Sequence, residues 1–228
     1  MLAPAIETEI ADLAARYGQP RRVAVDLTGA PFSPLILEDR HGEVCMVVRR
    51  PNGKLITAIK TFYPAGAFRL LTGGVGHGEP IAEALLREVA EETGLDVVVQ
   101  RFLAVIEYQL RGRSGLGDGS QGRAELASAP DPQPPIPISH SFATFAFLLD
   151  ETGGTLQVQD AGERIGAFRE LAVADLPALA ETLEKVPDTR DAEIEGSWRD
   201  WGRFRAVAHR VIYAALTSEE DGVLRTED

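Results

Sequence analysis

Between Gly73 and Leu95 the chain reads GGVGHGEPIAEALLREVAEETGL, a stretch that holds five glutamates, Glu79, Glu83, Glu88, Glu91 and Glu92, with Arg87 among them. Its spacing predicts a helix over residues 80 to 93. Ala82, Leu85, Leu86 and Val89 fall on one apolar stripe expected to face the core, and Gly94 stops the helix. Glu88 and Glu92 lie four apart and Glu91 three from Glu88, so three carboxylates share a flank beside that stripe. Like charges at this spacing repel, and a merely solvated helix gains nothing from them. Oxygen-rich clusters of this kind suit Mg²⁺ or Mn²⁺, which accept carboxylates and water and then substrate phosphate oxygens. A glycine-rich turn at Gly73-Gly74 is predicted to enter the helix, where backbone N–H groups and the helix N-terminus can approach an anion.

The flanks read as an α/β chain. Ile6, Ile10, Leu13 and Ala14 predict an amphipathic helix over residues 5 to 17, ended by Gly18 and packed on the domain or on a partner subunit. RRVAVDLTG (21 to 29) alternates as a strand. VCMVVRR and KLITAIK flank Pro51-Asn52-Gly53, a strong hairpin signal, and AFRLL (67 to 71) is a third strand. Residues 96 to 110 are long enough for two short strands or one bent one. Residues 111 to 139 are rich in Gly, Ser and Pro without a period. Such a segment reads as a long loop, a lid or binding loop on one view and an insertion without a role on the other. Strands are expected at 140 to 150, 155 to 160 and 163 to 171, then a helix through AVADLPALAETLEKV. In the tail, SWRDWGRFRAVAHRVIYAAL, the residues Trp201, Phe204, Val207, Val211 and Ala215 form a packing stripe, with Arg199, Arg203, Arg205 and Arg210 on its other sides.

Charge and cysteine content narrow the function. A formal net charge of −12 argues against nucleic acid as a partner, though a small phosphorylated substrate remains compatible where a divalent cation bridges the two anions. No apolar run approaches the ~18 to 20 residues that cross a bilayer, and the acidic N-terminus does not read as a secretory signal. The one cysteine, Cys45, excludes an internal disulfide framework and fits a reducing cytoplasm. Its setting, EVCMVV, reads as a buried strand and not as a catalytic thiol.

The central stretch resembles the Nudix hydrolase signature, Gx5Ex7REUxEExGU with U aliphatic. Gly73, Glu79, Arg87, Glu88, Val89, Glu91, Glu92, Gly94 and Leu95 fill every specified position. At ordinary residue usage a chance match is on the order of one in ten million. The resemblance spans roughly residues 40 to 186. It implies an α/β/α sandwich around a mixed β-sheet, here with extra N-terminal (1 to 39) and C-terminal (187 to 228) helical segments. It also implies metal-dependent hydrolysis of a nucleoside diphosphate linked to another moiety X.

Carried over by position, Glu88, Glu91 and Glu92 are expected metal ligands for Mg²⁺ or Mn²⁺, and Glu79 a supporting one. Arg87 is expected to orient them. Family members place the general base either in the box, here Glu88, or in a later loop, where Glu163 is the candidate ahead of Glu107 and Glu125. Gly73, Gly74, Arg69 and Lys60 are the expected substrate contacts, with Arg111, Arg113 and His77 as further candidates and His140 structural. The later marks of individual substrate subgroups are not matched. The layout GKLITAIKTFYPAGAFRLLTGG nonetheless resembles nucleotide-sugar and ADP-ribose members. A non-catalytic nucleotide sensor is the competing class, and it commonly loses box glutamates that this chain retains. A homodimer is a family expectation.

Overall fold

A computed structural model describes residues 2–28, 35, 40–111 and 142–218. In chain order they form α1 (Pro4–Tyr17), β1 (Arg21–Thr28), β2 (Arg40–Arg49), β3 (Leu55–Lys60), β4 (Arg69–Gly76), α2 (Ile81–Thr93), β5 (Leu95–Arg111) and β6 (Phe142–Gly154). A short 3₁₀ turn (Ala161–Glu163) then leads to β7 (Ile165–Leu171), α3 (Leu176–Glu184), the two-residue strands β8 (Arg190–Asp191) and β9 (Gly196–Ser197), and α4 (Trp198–Thr217). Seven strands make one mixed sheet in the order β1-β5-β6-β2-β4-β3-β7, with β1/β5 and β2/β6 parallel.

Strand alternation splits the core between the two faces of the sheet. Along β2, Val44, Met46 and Val48 join α1 and α2 on one side, with Ile10, Leu13, Ile81, Leu85 and Val89. Cys45 and Val47 point to the other side, where α3 and α4 supply Leu179, Leu183, Trp201, Phe204 and Ile212. The architecture is therefore the expected α/β/α sandwich, and its terminal helices are structural layers of it. Burial pushes the Cys45 thiol up to about 12, so it stays protonated and inert.

Residues 95 to 111 form one long strand, the second of the two expected alternatives, and its register against β6 slips at three places. Other local expectations change. Residues 155 to 160 are not a strand. Their backbone turns back onto α2 instead: Gln157 N–H donates to Thr93 O (2.9 Å) and Gln159 N–H to Glu91 O (3.0 Å). Two carbonyls left open at the end of the helix are thereby satisfied. The α4 stripe is rotated from the expected one: Trp201, Phe204, Arg205, Ala208 and Ile212 are buried, while Val207, Val211 and Ala215 are only partly so. Arg205 thus lies inside, donating from Nη1 to both Glu43 oxygens at 2.8 and 2.7 Å. Among the described residues, no helix is long and apolar enough to cross a membrane.

Candidate functional site

The acidic helix α2 is held at both ends by distant chain. Pro80 at its start offers no side-chain cap, and Glu9 of α1 accepts the Ile81 N–H at 2.5 Å. At its other end Gly94 adopts the left-handed conformation (φ 64°) that a β-carbon would strain. The sequence-predicted stripe is displaced by part of a turn. Leu86 is 51% exposed, whereas Ile81, Ala84, Leu85 and Val89 are buried together with Glu88 (6%) and Glu92 (0%). Two carboxylates therefore sit within the buried face, against β4, and not beside it.

That placement explains Gly73, though not in the way its sequence context suggests. Gly73 and Gly74 belong to strand β4, and the turn that enters the helix uses Gly78 (φ 78°), with Glu79 N–H donating to Gly76 O. A β-carbon at position 73 would overlap the Glu88 side chain. The glycine makes room for a carboxylate.

Arg87 gathers three of the acids. Its Nε and Nη2 donate to the two Glu79 oxygens (2.9 and 3.2 Å), and Nη1 donates to Glu88 Oε1 (2.9 Å) and Glu91 Oε2 (3.0 Å). Nη2 also reaches Gly74 O at 3.1 Å, which ties the fork to β4. These bonds hold the Glu79 carboxyl below its usual range and raise Arg87 further above its own. Burial pushes Glu88 up, partly offset by Arg87.

Glu88, Glu91 and Glu163 each offer an oxygen within 4.8 Å of the others. Glu163 arrives from the 3₁₀ turn before β7, and Lys60 Nζ donates to its Oε2 at 2.9 Å. Glu92 lies deeper. Among the described residues both its oxygens are buried without a hydrogen bond, and the cations Lys60 and Arg69 are 3.9 and 4.0 Å away. Burial pushes its carboxyl up to about 8 despite those cations. A carboxylate kept buried and unbonded is costly, and such cost concentrates at sites that take a ligand. Carboxylate oxygens alone make up this set, the donor chemistry of a hard divalent cation. A groove of about 450 Å³ opens on it, walled also by Arg40, Lys60, Thr72, Gly73 and Gly74.

The remaining candidates are placed as follows. Arg69 is buried, its Nε donating to Tyr63 OH (3.0 Å) and Nη1 to Leu70 O (2.8 Å). Glu107 faces Arg22 of β1 at 3.5 Å and is not part of the carboxylate group. His77 is exposed, with its ring 5.9 Å from that of His41. Glu125, Arg113, His140 and most of the 111 to 139 segment lie outside the described residues, as does the side chain of Arg111. Sequence reading missed Arg40, whose guanidinium lies over Gly74, and Glu9, the cap of the acidic helix. Neither carries a local signal.

A family model described as the NUDIX domain matches residues 39–193. An ADP-ribose pyrophosphatase from Methanocaldococcus jannaschii is 28% identical over 174 residues, covering 72% of this chain and 86% of that protein. Among solved structures, that of a UDP-X diphosphatase aligns over 82% of this chain and 68% of its own, with TM-score 0.43 and 15% identity. A NUDIX-family hydrolase from Clostridium perfringens aligns over 78% and 99%, with TM-score 0.40 and 16% identity.

Proposed function

The chain belongs to the Nudix hydrolase family and is a hydrolase of diphosphate bonds; from that premise we propose that it cleaves a nucleoside diphosphate linked to a sugar-like moiety X, in the manner of a nucleotide sugar or ADP-ribose. The ADP-ribose pyrophosphatase of Methanocaldococcus jannaschii, 28% identical, supports the ADP-ribose side of this reading. One observation carries it: Glu88, Glu91 and Glu163 converge from α2 and the turn before β7, and Glu88 and Glu163 line a groove large enough for a diphosphate.

Glu88, Glu91 and Glu163 would hold Mg²⁺ or Mn²⁺, with Glu92 behind them and Glu79 in support. A cation bound there would neutralise diphosphate charge and make a water more acidic. The chain's own residues do the rest. Arg87 fixes Glu79, Glu88 and Glu91 through one planar fork, so their oxygens are arranged before substrate arrives. Lys60 holds Glu163 in place, and Glu163 accepts the proton of the water that attacks phosphorus. The P–O–P bridge breaks, leaving a nucleoside monophosphate and phosphorylated X. Gly73 and Gly74 keep β4 flat beneath the diphosphate, while Lys60 and Arg40 line the groove as cations for its oxygens.

The test is release of monophosphate from a panel of nucleoside diphosphate derivatives with and without Mg²⁺. Wild type is compared with Glu88→Gln, Glu92→Gln and Glu163→Gln. Each substitution is expected to lower kcat/KM by about 10²- to 10⁴-fold. Full activity in Glu92→Gln and Glu163→Gln would sink this assignment of roles.

A further inference from the structure

A second cavity, about 160 Å³, adjoins the acidic groove and shares with it the wall made by Arg40, Lys60, Thr72, Gly73 and Gly74. Its other walls come from chain segments outside the signature stretch. Phe62 and Tyr63 follow β3, Glu193 and Ile194 lie in the turn between β8 and β9, and Trp201 and Arg205 belong to α4. We propose that this cavity is the subsite for X and that it takes a single hydroxylated ring, a pentose or hexose, joined to the diphosphate at the shared wall. The proposal rests on the reading of the chain as a hydrolase of nucleoside diphosphates linked to X, and it names where X sits.

Size is the first argument. At about 160 Å³ beside a groove of about 450 Å³, the cavity matches the smaller, single-ring end of such a substrate. The lining is the second. Glu193 and the Tyr63 hydroxyl can accept hydrogen bonds, Arg40, Lys60 and Arg205 can donate them, and Phe62 and Ile194 add apolar surface. A ring with hydroxyls on its edges and C–H on its faces matches that mixture. Third, Arg205 lines the cavity as a cation of fixed position, because its Nη1 is held by both Glu43 oxygens.

The wall is also pre-set relative to the reacting end. Arg164, directly after Glu163, stacks over the Phe62 ring (4.3 Å) and donates to both Glu193 oxygens (2.7 and 3.1 Å). Its carbonyl accepts the Thr61 N–H at 2.8 Å. Pocket wall and Glu163 turn are thus one clamped unit, so a ring seated in the pocket is placed in register with Glu163.

Titration calorimetry with ribose 5-phosphate and with AMP, each in Mg²⁺, tests the assignment on the whole chain. Two variants act in opposite senses: Ile194→Trp fills the cavity and Tyr63→Ala opens it. Thermal melts check that both fold. Each is expected to weaken ribose 5-phosphate binding at least fivefold and leave AMP unchanged. The assignment is overturned by no binding of ribose 5-phosphate to the wild type, by no change in either variant, by loss confined to AMP, or by equal loss of both probes. These titrations read binding without turnover. Absence of hydrolysis across the nucleotide panel is therefore a separate failure, of the reaction and not of the subsite.

Discussion

Removing the Arg205 guanidinium should be among the most destabilising single changes outside the apolar core. Glu43 is 3% exposed, and its carboxylate accepts from Arg205 Nη1 at 2.7 and 2.8 Å and from the Thr144 hydroxyl at 3.0 Å. Arg205→Met keeps most of the side-chain volume but leaves the carboxylate with the hydroxyl alone. Two lost charge-assisted contacts at ~1.5–3 kcal/mol each suggest ~3–6 kcal/mol, in line with the ~3–5 kcal/mol seen when one partner of a buried pair is removed. For a chain of this size that lowers Tm by roughly 6–24 °C. Glu43→Leu combined with Arg205→Met removes both charges, and Thr144 keeps Tyr108 OH at 3.3 Å as a partner. The double variant should therefore stand within about 2 kcal/mol of wild type. Urea unfolding of all four proteins gives the coupling directly. A cost under about 1 kcal/mol for Arg205→Met, or a double variant as unstable as the sum of the singles, would refute the reasoning.

Gly73→Ala places a methyl where the Glu88 carboxylate lies; kcat is expected to fall about 100-fold or more, since displacements of an ångström at a site cost that much. An unchanged kcat would show that Glu88 has room to move. Arg87→Lys keeps the charge but loses the fork that joins Glu79, Glu88 and Glu91. The Mg²⁺ concentration for half-maximal rate should rise about 10- to 100-fold, which a metal titration of activity reads. Stability should also depend on pH through His209. Its Nδ1 lies 2.7 Å from Arg205 O and its Nε2 accepts the Leu70 N–H, and burial pushes it from 6.5 down to about 4. The unfolded chain then binds a proton near pH 6.5 that the fold refuses until about pH 4. The contribution is full above 6.5 and is lost as pH falls, by at most about 3 kcal/mol. His209→Gln should flatten the slope of stability between pH 6.5 and 4, and an identical slope in the variant would rule His209 out as its source.

Features set by neighbours in the chain were legible without coordinates. The tight turn follows from Asn52-Gly53, but the expected hairpin does not: β2 and β3 pair only at Arg49–Leu55, because β4 lies between them in the sheet. The acidic helix follows from apolar residues three and four apart closed by Gly94. The same spacing brings Glu88 and Glu91 to one flank, and the order of signature residues carries the family. Glu163 stood ahead of Glu107 and Glu125 because it precedes the late strand, but no local signal shows that its carboxylate meets Glu88 and Glu91.

What the spacing could not supply was the direction each face points. A helical period says which residues share a side; the partner packed there decides which side is buried. Here strand β4 and its Gly73 take Glu88 and Glu92 inward and leave Leu86 in solvent. The same holds for α4, where Arg205 turns inward to meet Glu43, 162 residues earlier in the chain. Glu9 reaches Ile81 across 72 residues, and the Glu163 turn meets α2 through residues 157 to 160. A contact between distant residues depends on the register and layering of the whole sheet, to which no short stretch of sequence has access. The acidic helix is thus written in its own residues. Its orientation, its caps and the third carboxylate beside it exist only once the sheet has closed around them.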